Sequence, residues 1–257
     1  PAQSNFSGVQ HPLEWIEMAQ SKGWDVLVDF AAFAPTNRVD LGRWKPDFVD
    51  LSFYKIFGYP TGIGCLLARK TALTKLHRPW FAGGTITLAS VQGDGYYLQE
   101  GVAGFEDGTI NYLNIPAVEI GLKHIKSLGI DIIHERVMCL AGWLLEQLLS
   151  LRHSSGKPLV RLYGPTTTDQ RGATITINFF DADGNPFDFR RVEAEANMHN
   201  ISLRTGCFCN PGAGEVANNL TADEMKKCFE NEERMTFEQF LLVMDGRASG
   251  AVRVSLG

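Results

Sequence analysis

The stretch that decides the fold is Asp47-Phe48-Val49-Asp50-Leu51-Ser52-Phe53-Tyr54-Lys55-Ile56-Phe57-Gly58-Tyr59-Pro60-Thr61-Gly62. Residues 47–51 form an apolar run typical of a buried strand, and the glycines and proline that follow Lys55 indicate a turn. A lysine just past a buried strand is badly placed for a core. Desolvation there would make its proton easier to lose. Lys55 is therefore a candidate Schiff-base nucleophile.

Two further apolar runs predict strands next to this one. Residues 24–29 are rich in apolar side chains and end in Asp29, and residues 62–68 form the other run. The first is typical of a buried parallel strand with a polar group at its carboxyl end, where open α/β sheets bind ligands. Lys55 would then lie in the connection between two strands. Residues 78–111 are rich in Gly and Thr, which predicts either ordinary turns or backbone amides open to an anion.

Apolar spacing predicts helices at residues 12–22, 115–127 and about 131–151. The pattern then changes in the second half of the chain. Beyond Gly156, strands are predicted at 159–164, 173–180 and 201–204, with a helix at 187–198. The charged run 226–234 is interpreted as the solvated face of a helix. We therefore place a domain change near residues 125–130.

Composition excludes several classes of partner. The net charge of −5 and the pI near 5.7 leave no basic footprint for nucleic acid, and no Lys/Arg cluster suggests a membrane surface. Five cysteines, with no signal-peptide pattern and no long apolar run, predict a reducing, cytoplasmic compartment. The chain begins at Pro1 without Met and ends in an apolar strand pattern, so we expect a piece of a longer protein.

A second distinctive stretch is the cysteine loop, Arg204-Thr205-Gly206-Cys207-Phe208-Cys209-Asn210-Pro211-Gly212-Ala213. A zinc site would need two further ligands, which nearby His199 alone does not supply, so we expect no metal. A disulfide across one residue would be strained. The remaining interpretation is a reactive thiol on a loop, favoured electrostatically by Arg204. Of the other cysteines, we expect Cys65 and Cys139 in the core and Cys228 on the surface.

Several motifs occur along the chain in a fixed order: Asp29, Ser52, Lys55, Phe105-Glu106-x-Gly108-Thr109-x-Asn111, Arg204-Thr205-Gly206-x-x-Cys209 and Arg253. In this order they resemble the class V aminotransferases of PLP fold type I, and within these the cysteine desulfurases. The stretch 52–62 and the loop 204–213 are most similar to the amino-terminal domain of molybdenum cofactor sulfurases. The resemblance covers nearly the whole chain.

The resemblance implies a fold and a division of the chain. The fold is α/β, PLP fold type I, with part of a large, mainly parallel-sheet domain followed by a smaller α+β domain. Residues 1–127 would be the remnant of the large PLP-binding domain, without its amino-terminal part. Residues 128–257 would be the small carboxy-terminal domain that carries the cysteine loop.

It also implies a pyridoxal 5′-phosphate (PLP) site. Lys55 would form the Schiff base with the cofactor, and Asp29 would pair with the pyridine nitrogen and keep it protonated, so that the ring acts as an electron sink. Ser52 would hydrogen-bond the phosphate, and the Tyr54 hydroxyl would be in position to reach it too. Thr109 would reach the phosphate bound to the other subunit of a homodimer.

The implied reaction is the desulfuration of L-cysteine. Arg253 matches the residue that clamps the substrate α-carboxylate, a task suited to a bidentate guanidinium. Arg204 would bias the thiolate, bind an acceptor or brace the loop. Cys209 matches the nucleophile, which takes the substrate sulfur as a persulfide and releases alanine. The role of Cys207 is left open. The sulfur would be destined for the molybdenum cofactor.

Departures from the family leave alternatives open. Ala32 stands where most desulfurases have Gln, and Tyr54 stands where they have His. The family's amino-terminal segment, which supplies a phosphate-binding helix start and a ring-stacking residue, has no counterpart before Pro1. One alternative is another class V PLP enzyme, a lyase, decarboxylase or aminotransferase, without a catalytic cysteine. The other is a catalytically silent dimeric scaffold.

Overall fold

The computed structural model describes residues 1–230, 234–244, 246–247 and 250–257. The helices are α1 (Trp15–Gln20), α2 (Phe53–Phe57), α3 (Lys70–Leu73), α4 (Ile115–Leu128), α5 (Ile130–Ser150), α6 (Phe189–Met198), α7 (Pro211–Ala217), α8 (Ala222–Lys227) and α9 (Phe237–Val243). The strands are β1 (Leu27–Asp29), β2 (Phe48–Ser52), β3 (Gly64–Ala68), β4 (Ile86–Ser90), β5 (Gly95–Leu98), β6 (Val160–Tyr163), β7 (Thr174–Phe179), β8 (Arg204–Gly206) and β9 (Ala251–Ser255). In the described ranges, no helix is long and apolar enough to cross a bilayer.

The chain divides into two units. The first comprises residues 1–2 and 12–132, and the second comprises residues 3–11 and 133–257. Each unit contains its own sheet and its own apolar core. The predicted helices at 115–127 and 131–151 are confirmed as α4 and α5.

The first unit is built on the sheet β1-β2-β3. β1 and β2 are parallel, as predicted, and β3 returns antiparallel to β2. Alternation along the strands puts Val28 and Val49 into the core, where they pack with Phe30. The other face of the parallel pair carries Asp29 and Asp50. The two carboxylates are direct register partners near the carboxyl ends of their strands.

Lys55 lies in the connection between β2 and β3, as predicted, and this connection contains a short helix. Ser52 is still extended, and α2 then runs from Phe53 to Phe57, where Gly58 at φ +82° ends it. The ring of Phe57 packs onto α4 at Gly121. A Cβ at Gly121 would lie 2.3 Å from that ring, so only glycine admits this approach. The helix that carries the lysine is thereby held against α4.

Asp50 carries a half-buried carboxyl group within this sheet. Its Oδ1 is buried and has no hydrogen-bond partner in the described part of the chain. Burial raises the pKa of Asp50, the carboxylate of Asp29 raises it further, and Lys55 acts in the opposite direction. Burial and the Asp50 charge also raise the pKa of the Cys65 thiol. The sheet therefore holds an acidic group whose surroundings raise its pKa.

The region 78–111, predicted as loops, contains a hairpin. β4 and β5 pair antiparallel, and residues 101–105 form a turn of 3₁₀ helix. The side chain of Arg78 donates to the carbonyl of Gly104 at 2.9 Å and pairs with Asp107 at 2.6 Å. These bonds hold the glycine-rich segment that ends in Thr109.

The second unit is built on an antiparallel sheet in the order β6-β7-β9-β8. Ile175, Ile177 and Val252 lie in its core with Leu145 of α5. The predicted strands at 159–164 and 173–180 are confirmed, whereas the strand expected at 201–204 begins only at Arg204. Of the charged run 226–234, the beginning lies at the end of α8, and residues 231–233 lie outside the described residues.

Arg171 is the largest polar side chain buried in this unit. It is 1% exposed, and its guanidinium donates to the carbonyls of Gly172 at 3.0 Å, Thr174 at 2.7 Å and Pro165. Burial lowers the pKa of this guanidinium. Val9 bridges to Arg171 as an isolated strand pair, so the same residue also joins the segment 3–11 to the rest of the unit.

We predict that Arg171→Ala strongly destabilises the second unit. The substitution removes the donor of one buried and two partly buried carbonyls, and each unsatisfied buried group costs about 1–3 kcal/mol, so a total loss of about 3 kcal/mol is expected. Urea unfolding measures it as a lower midpoint. Arg161→Ala is the control, because Arg161 is exposed and stacks on Phe180 at 4.4 Å. Its expected cost is about 1 kcal/mol or less, and an equal cost for both variants would contradict the role of Arg171.

We predict that Asp50→Asn stabilises the first unit increasingly as pH rises. A carboxyl whose pKa is raised by folding binds its proton more tightly in the folded state, so the wild type loses stability as pH increases above the unfolded value near 3.8. The asparagine does not titrate. Thermal unfolding of both proteins between pH 4 and pH 8 should therefore show a gap that widens with pH.

Asp181→Asn is the control, because its effect on stability should depend on pH in the opposite direction. Hydrogen bonds, the first from the backbone N–H of Asn185, lower the pKa of Asp181, so its contribution is present at neutral pH and is lost as pH falls. The deficit of Asp181→Asn should shrink towards low pH. A pH-independent gap between wild type and Asp50→Asn would show that Asp50 is not perturbed by folding.

Candidate active site

Three of the predicted residues lie together in the first unit, at the carboxyl ends of β1 and β2. Asp29 is half-buried, and its Oδ1 accepts a hydrogen bond from the N–H of Ala31 at 2.7 Å. Ser52 is the residue before α2, and its hydroxyl caps no helix N–H. Lys55 follows on α2 and lies within electrostatic reach of Asp50. We call this set the lysine group: Asp29, Asp50, Ser52 and Lys55.

Lys55 is exposed, so the expected desolvation of its ammonium is wrong for this chain. Among the described residues it takes part in no ion pair. Tyr54, next to it, is also exposed. The amine is therefore available to a reacting molecule rather than engaged in the fold.

Thr109 belongs to a different part of the first unit. It is exposed and follows the turn Glu106-Asp107-Gly108. The N–H of Gly108 donates to the carbonyl of Gly83 at 2.6 Å, which fixes the turn from the other side of the segment. Thr109 therefore lies on an ordered, solvent-facing loop and not at the strand ends.

The other predicted residues lie together in the second unit. Arg204 on β8 and Arg253 on β9 are direct register partners. Burial lowers the pKa of Arg253, and the charge of Arg204 lowers it further, whereas Cys209 raises it. Cys209 therefore lies within electrostatic reach of Arg253. We call this set the arginine group: Arg204, Arg253 and Cys209.

The arginine group lacks a negative partner of its own. Among the described residues, neither guanidinium pairs with a carboxylate. Arg253 Nη1 donates to the carbonyl of Asn5 at 3.2 Å, and its Nε is buried without a partner. Two cations side by side repel each other, and an anion bound beside them would offset that repulsion. The arrangement is suited to binding a carboxylate.

The cysteine loop connects β8 to α7. Cys209 is exposed and Cys207 is half-buried, and the side chain of Asn210 caps α7 by accepting from the N–H of Ala213 at 3.3 Å. Phe208 and Cys209 both have left-handed backbones, at φ +55° and +58°. Side chains other than glycine rarely adopt this conformation, so the loop has a specific and costly shape.

The remaining cysteines correct two expectations. Cys228 is buried, against the expected surface position, because α8 packs it under Met244 and Leu220. Cys139 is exposed on α5, against the expected core position, and Cys65 is half-buried. All five cysteines are free thiols. Within the described ranges, no group of three or more His, Cys, Asp or Glu side chains is arranged to hold a metal.

Sequence reasoning missed two residues, Asp50 in the lysine group and Phe208 next to the arginine group. Asp50 was counted as part of an apolar run, although an acidic residue inside a strand of the core sheet is itself a signal of a site. Phe208, between the two cysteines, is given no role by the sequence analysis. An aromatic residue on a polar loop is a signal of burial, and Phe208 is 4% exposed.

Comparison with known proteins agrees with these observations. The family profile Aminotransferase class-V matches residues 2–255. Molybdenum cofactor sulfurase of Homo sapiens is 37% identical over the whole chain, and that of Solanum lycopersicum is 36% identical over the whole chain. The chain spans only 30% and 33% of the length of these two relatives.

Solved structures share the fold. The apo cysteine desulfurase of Thermococcus onnurineus superposes with a TM-score of 0.70 at 24% identity, over 99% of this chain and 53% of that one. The cysteine desulfurase CsdA of Escherichia coli gives 0.70 at 21% identity, over 100% and 53%. The predicted α/β architecture of PLP fold type I is thereby confirmed. Since the family profile covers all but the terminal residues, the chain belongs to the class-V aminotransferase family.

Proposed function

We propose that this chain is the PLP-dependent cysteine desulfurase part of a molybdenum cofactor sulfurase, a sulfurtransferase that takes sulfur from L-cysteine. The observation that carries the proposal is the arginine group. L-Cysteine combines a carboxylate with a sulfur atom, and the group offers an unneutralised pair of guanidinium ions beside an exposed thiol. Similarity to the molybdenum cofactor sulfurases supports it.

The lysine group fits PLP. A PLP site needs an amine for the aldehyde, an acid for the ring nitrogen and donors for the phosphate. Lys55 supplies an uncommitted amine, and the second oxygen of Asp29 is not used by Ala31. The hydroxyl of Ser52 is free of any capping bond. Asp50, the register partner of Asp29, would place a second carboxyl group beside the one proposed to hold the ring nitrogen.

Each residue then has a role in holding the cofactor. Lys55 would bind it covalently, Asp29 would keep a proton on the ring nitrogen, and Ser52 with Tyr54 would bind the phosphate. Thr109, exposed on its loop, would contact the phosphate in the partner subunit of a homodimer. When bound, PLP supplies an electron sink for the bonds at the substrate α carbon.

The second set of residues would act on the substrate. Arg253 would bind the α-carboxylate of L-cysteine, with Arg204 adding positive charge. The thiolate of Cys209 would attack the substrate sulfur, so that a new S–S bond forms while the C–S bond breaks. Cys209 would keep the sulfur as a persulfide, and the remaining carbon skeleton would take up protons and leave as alanine. Cys207 would be close enough in sequence to assist.

The destination of the sulfur is part of the proposal. The chain spans about a third of the sulfurases that it resembles, so the molybdenum cofactor would be bound elsewhere in such a protein. Five free thiols support a reducing, cytoplasmic location. We further propose that residues 1–127 belong to the PLP-binding domain and residues 128–257 form the small domain.

We predict that Lys55→Ala abolishes the visible absorbance that the protein acquires on reconstitution with PLP. The amine is the covalent attachment point in the proposal, so PLP would bind weakly and keep the spectrum of the free aldehyde. Lys70→Ala, a change at another exposed lysine of the first unit, should leave the spectrum unchanged. Wild-type protein that never acquires the band would favour the silent scaffold instead.

We predict that Cys209→Ser lowers alanine and persulfide formation from L-cysteine by roughly 10³-fold or more, because the reaction loses its nucleophile. PLP binding should be unaffected. Cys139→Ser, at another exposed cysteine, should retain full activity. Alanine and persulfide are measured in the same reaction. Undiminished sulfur transfer by Cys209→Ser would refute the nucleophile, and wild-type turnover of thiol-free amino acids would identify another class V reaction.

A further inference from the structure

Phe208 is an aromatic anchor between the two cysteines of the loop. Its side chain points into the second unit and is 4% exposed, whereas the next residue, Cys209, is exposed. The Phe208 ring lies 5.7 Å from the ring of Phe6 and packs with Ala251 of β9. The loop is therefore fastened to the sheet at the residue immediately before the proposed nucleophile.

The backbone of the loop is held in an unfavourable shape at the same place. Phe208 and Cys209 are both left-handed, which opposes the preference of residues that have a Cβ. The side-chain amide nitrogen of Asn5, Nδ2, donates to the backbone carbonyl of Phe208 at 2.6 Å. Because burial of the ring and this hydrogen bond act on one residue, they can stabilise the shape that turns Cys209 outward.

Arg253 depends on the same two residues. Its guanidinium lies over the Phe208 ring, 4.8 Å from the centroid, and its Nη1 donates to the carbonyl of Asn5 at 3.2 Å. A cation over an aromatic face is attracted by the ring quadrupole, and more strongly when it is partly desolvated. Among the described residues, the buried Nε of Arg253 has no hydrogen-bond partner, so the hydrogen bond to Asn5 and the Phe208 ring are contacts on which the position of this side chain depends.

We propose that Phe208, braced by Asn5, is a positioning residue. It holds the proposed carboxylate-binding guanidinium of Arg253 and the thiol of Cys209 at a fixed distance from each other. The inference rests on the function proposed above. Phe208 touches neither reacting atom. It acts by joining the two groups that do, since its ring supports Arg253 and its backbone leads directly into Cys209.

A fixed distance between these two groups affects which substrate is preferred. The carboxylate and the sulfur of L-cysteine are separated by a short, constant number of bonds. L-Homocysteine places its sulfur one carbon further from the carboxylate. Rigid spacing between Arg253 and Cys209 would favour L-cysteine, and loosening that spacing would reduce the preference.

Two substitutions separate the contributions of Phe208. Phe208→Leu keeps a buried apolar side chain but removes the ring beneath Arg253. The KM for L-cysteine should rise about tenfold, the value of a cation–π contact, while kcat changes by less than about twofold. Phe208→Ala also removes the anchor, so kcat should fall about tenfold as well, and the preference for L-cysteine over L-homocysteine should decrease. Phe229→Leu, at a largely exposed phenylalanine, is the matched control and should behave as wild type.

Amide hydrogen exchange tests the anchor without cofactor or substrate. Residues 204–210 should exchange about tenfold faster in Phe208→Ala and in Asn5→Ala than in wild type, and should be unchanged in Phe208→Leu. Wild-type KM and kcat in both Phe208 variants would overturn the proposal, as would faster exchange with unchanged kinetics. If the wild type forms no alanine, the proposed function fails, and unchanged exchange in Phe208→Ala would separately refute the anchor.

Discussion

The half-buried guanidinium of Arg253 constrains the second unit, because no carboxylate in the described part of the chain neutralises it. Taking a charge out of water is costly, and Arg253 lies beside a second cation, Arg204, which increases that cost. The unit compensates with a backbone carbonyl from Asn5 and the aromatic face of Phe208. These contacts hold the charge in place without cancelling it. What remains is attraction for an anion, which is the property that the proposed function uses.

The first unit also places two groups of like charge side by side, but these groups are acidic. Asp29 and Asp50 are register partners on a parallel strand pair, and no donor among the described residues reaches one buried oxygen of Asp50. Sheets packed for stability alone avoid such a pair. Like charges concentrated at the carboxyl ends of strands are typical of ligand sites in α/β proteins. Each unit therefore carries an electrostatic imbalance that a ligand of complementary charge would relieve.

The sequence allowed much of this arrangement to be predicted, for reasons that lie in local pattern. Apolar spacing located α4 and α5, and motif order located Lys55, Cys209 and both arginines. The helix at Lys55 was missed because it is too short to show a period, and its stability comes from Phe57 packing on α4. The burial of Cys228 and of Phe208 was missed because both lie in polar stretches, where tertiary contacts decide which side chain turns inward.

The contact between Phe57 and Gly121 links two distant parts of the chain. The lysine-bearing helix has fewer than two turns, so it has no stability of its own and takes its orientation from α4. A Cβ at residue 121 would displace the Phe57 ring and, through it, the helix that carries Lys55. The position of an exposed amine thus depends on the absence of a side chain more than sixty positions later in the sequence.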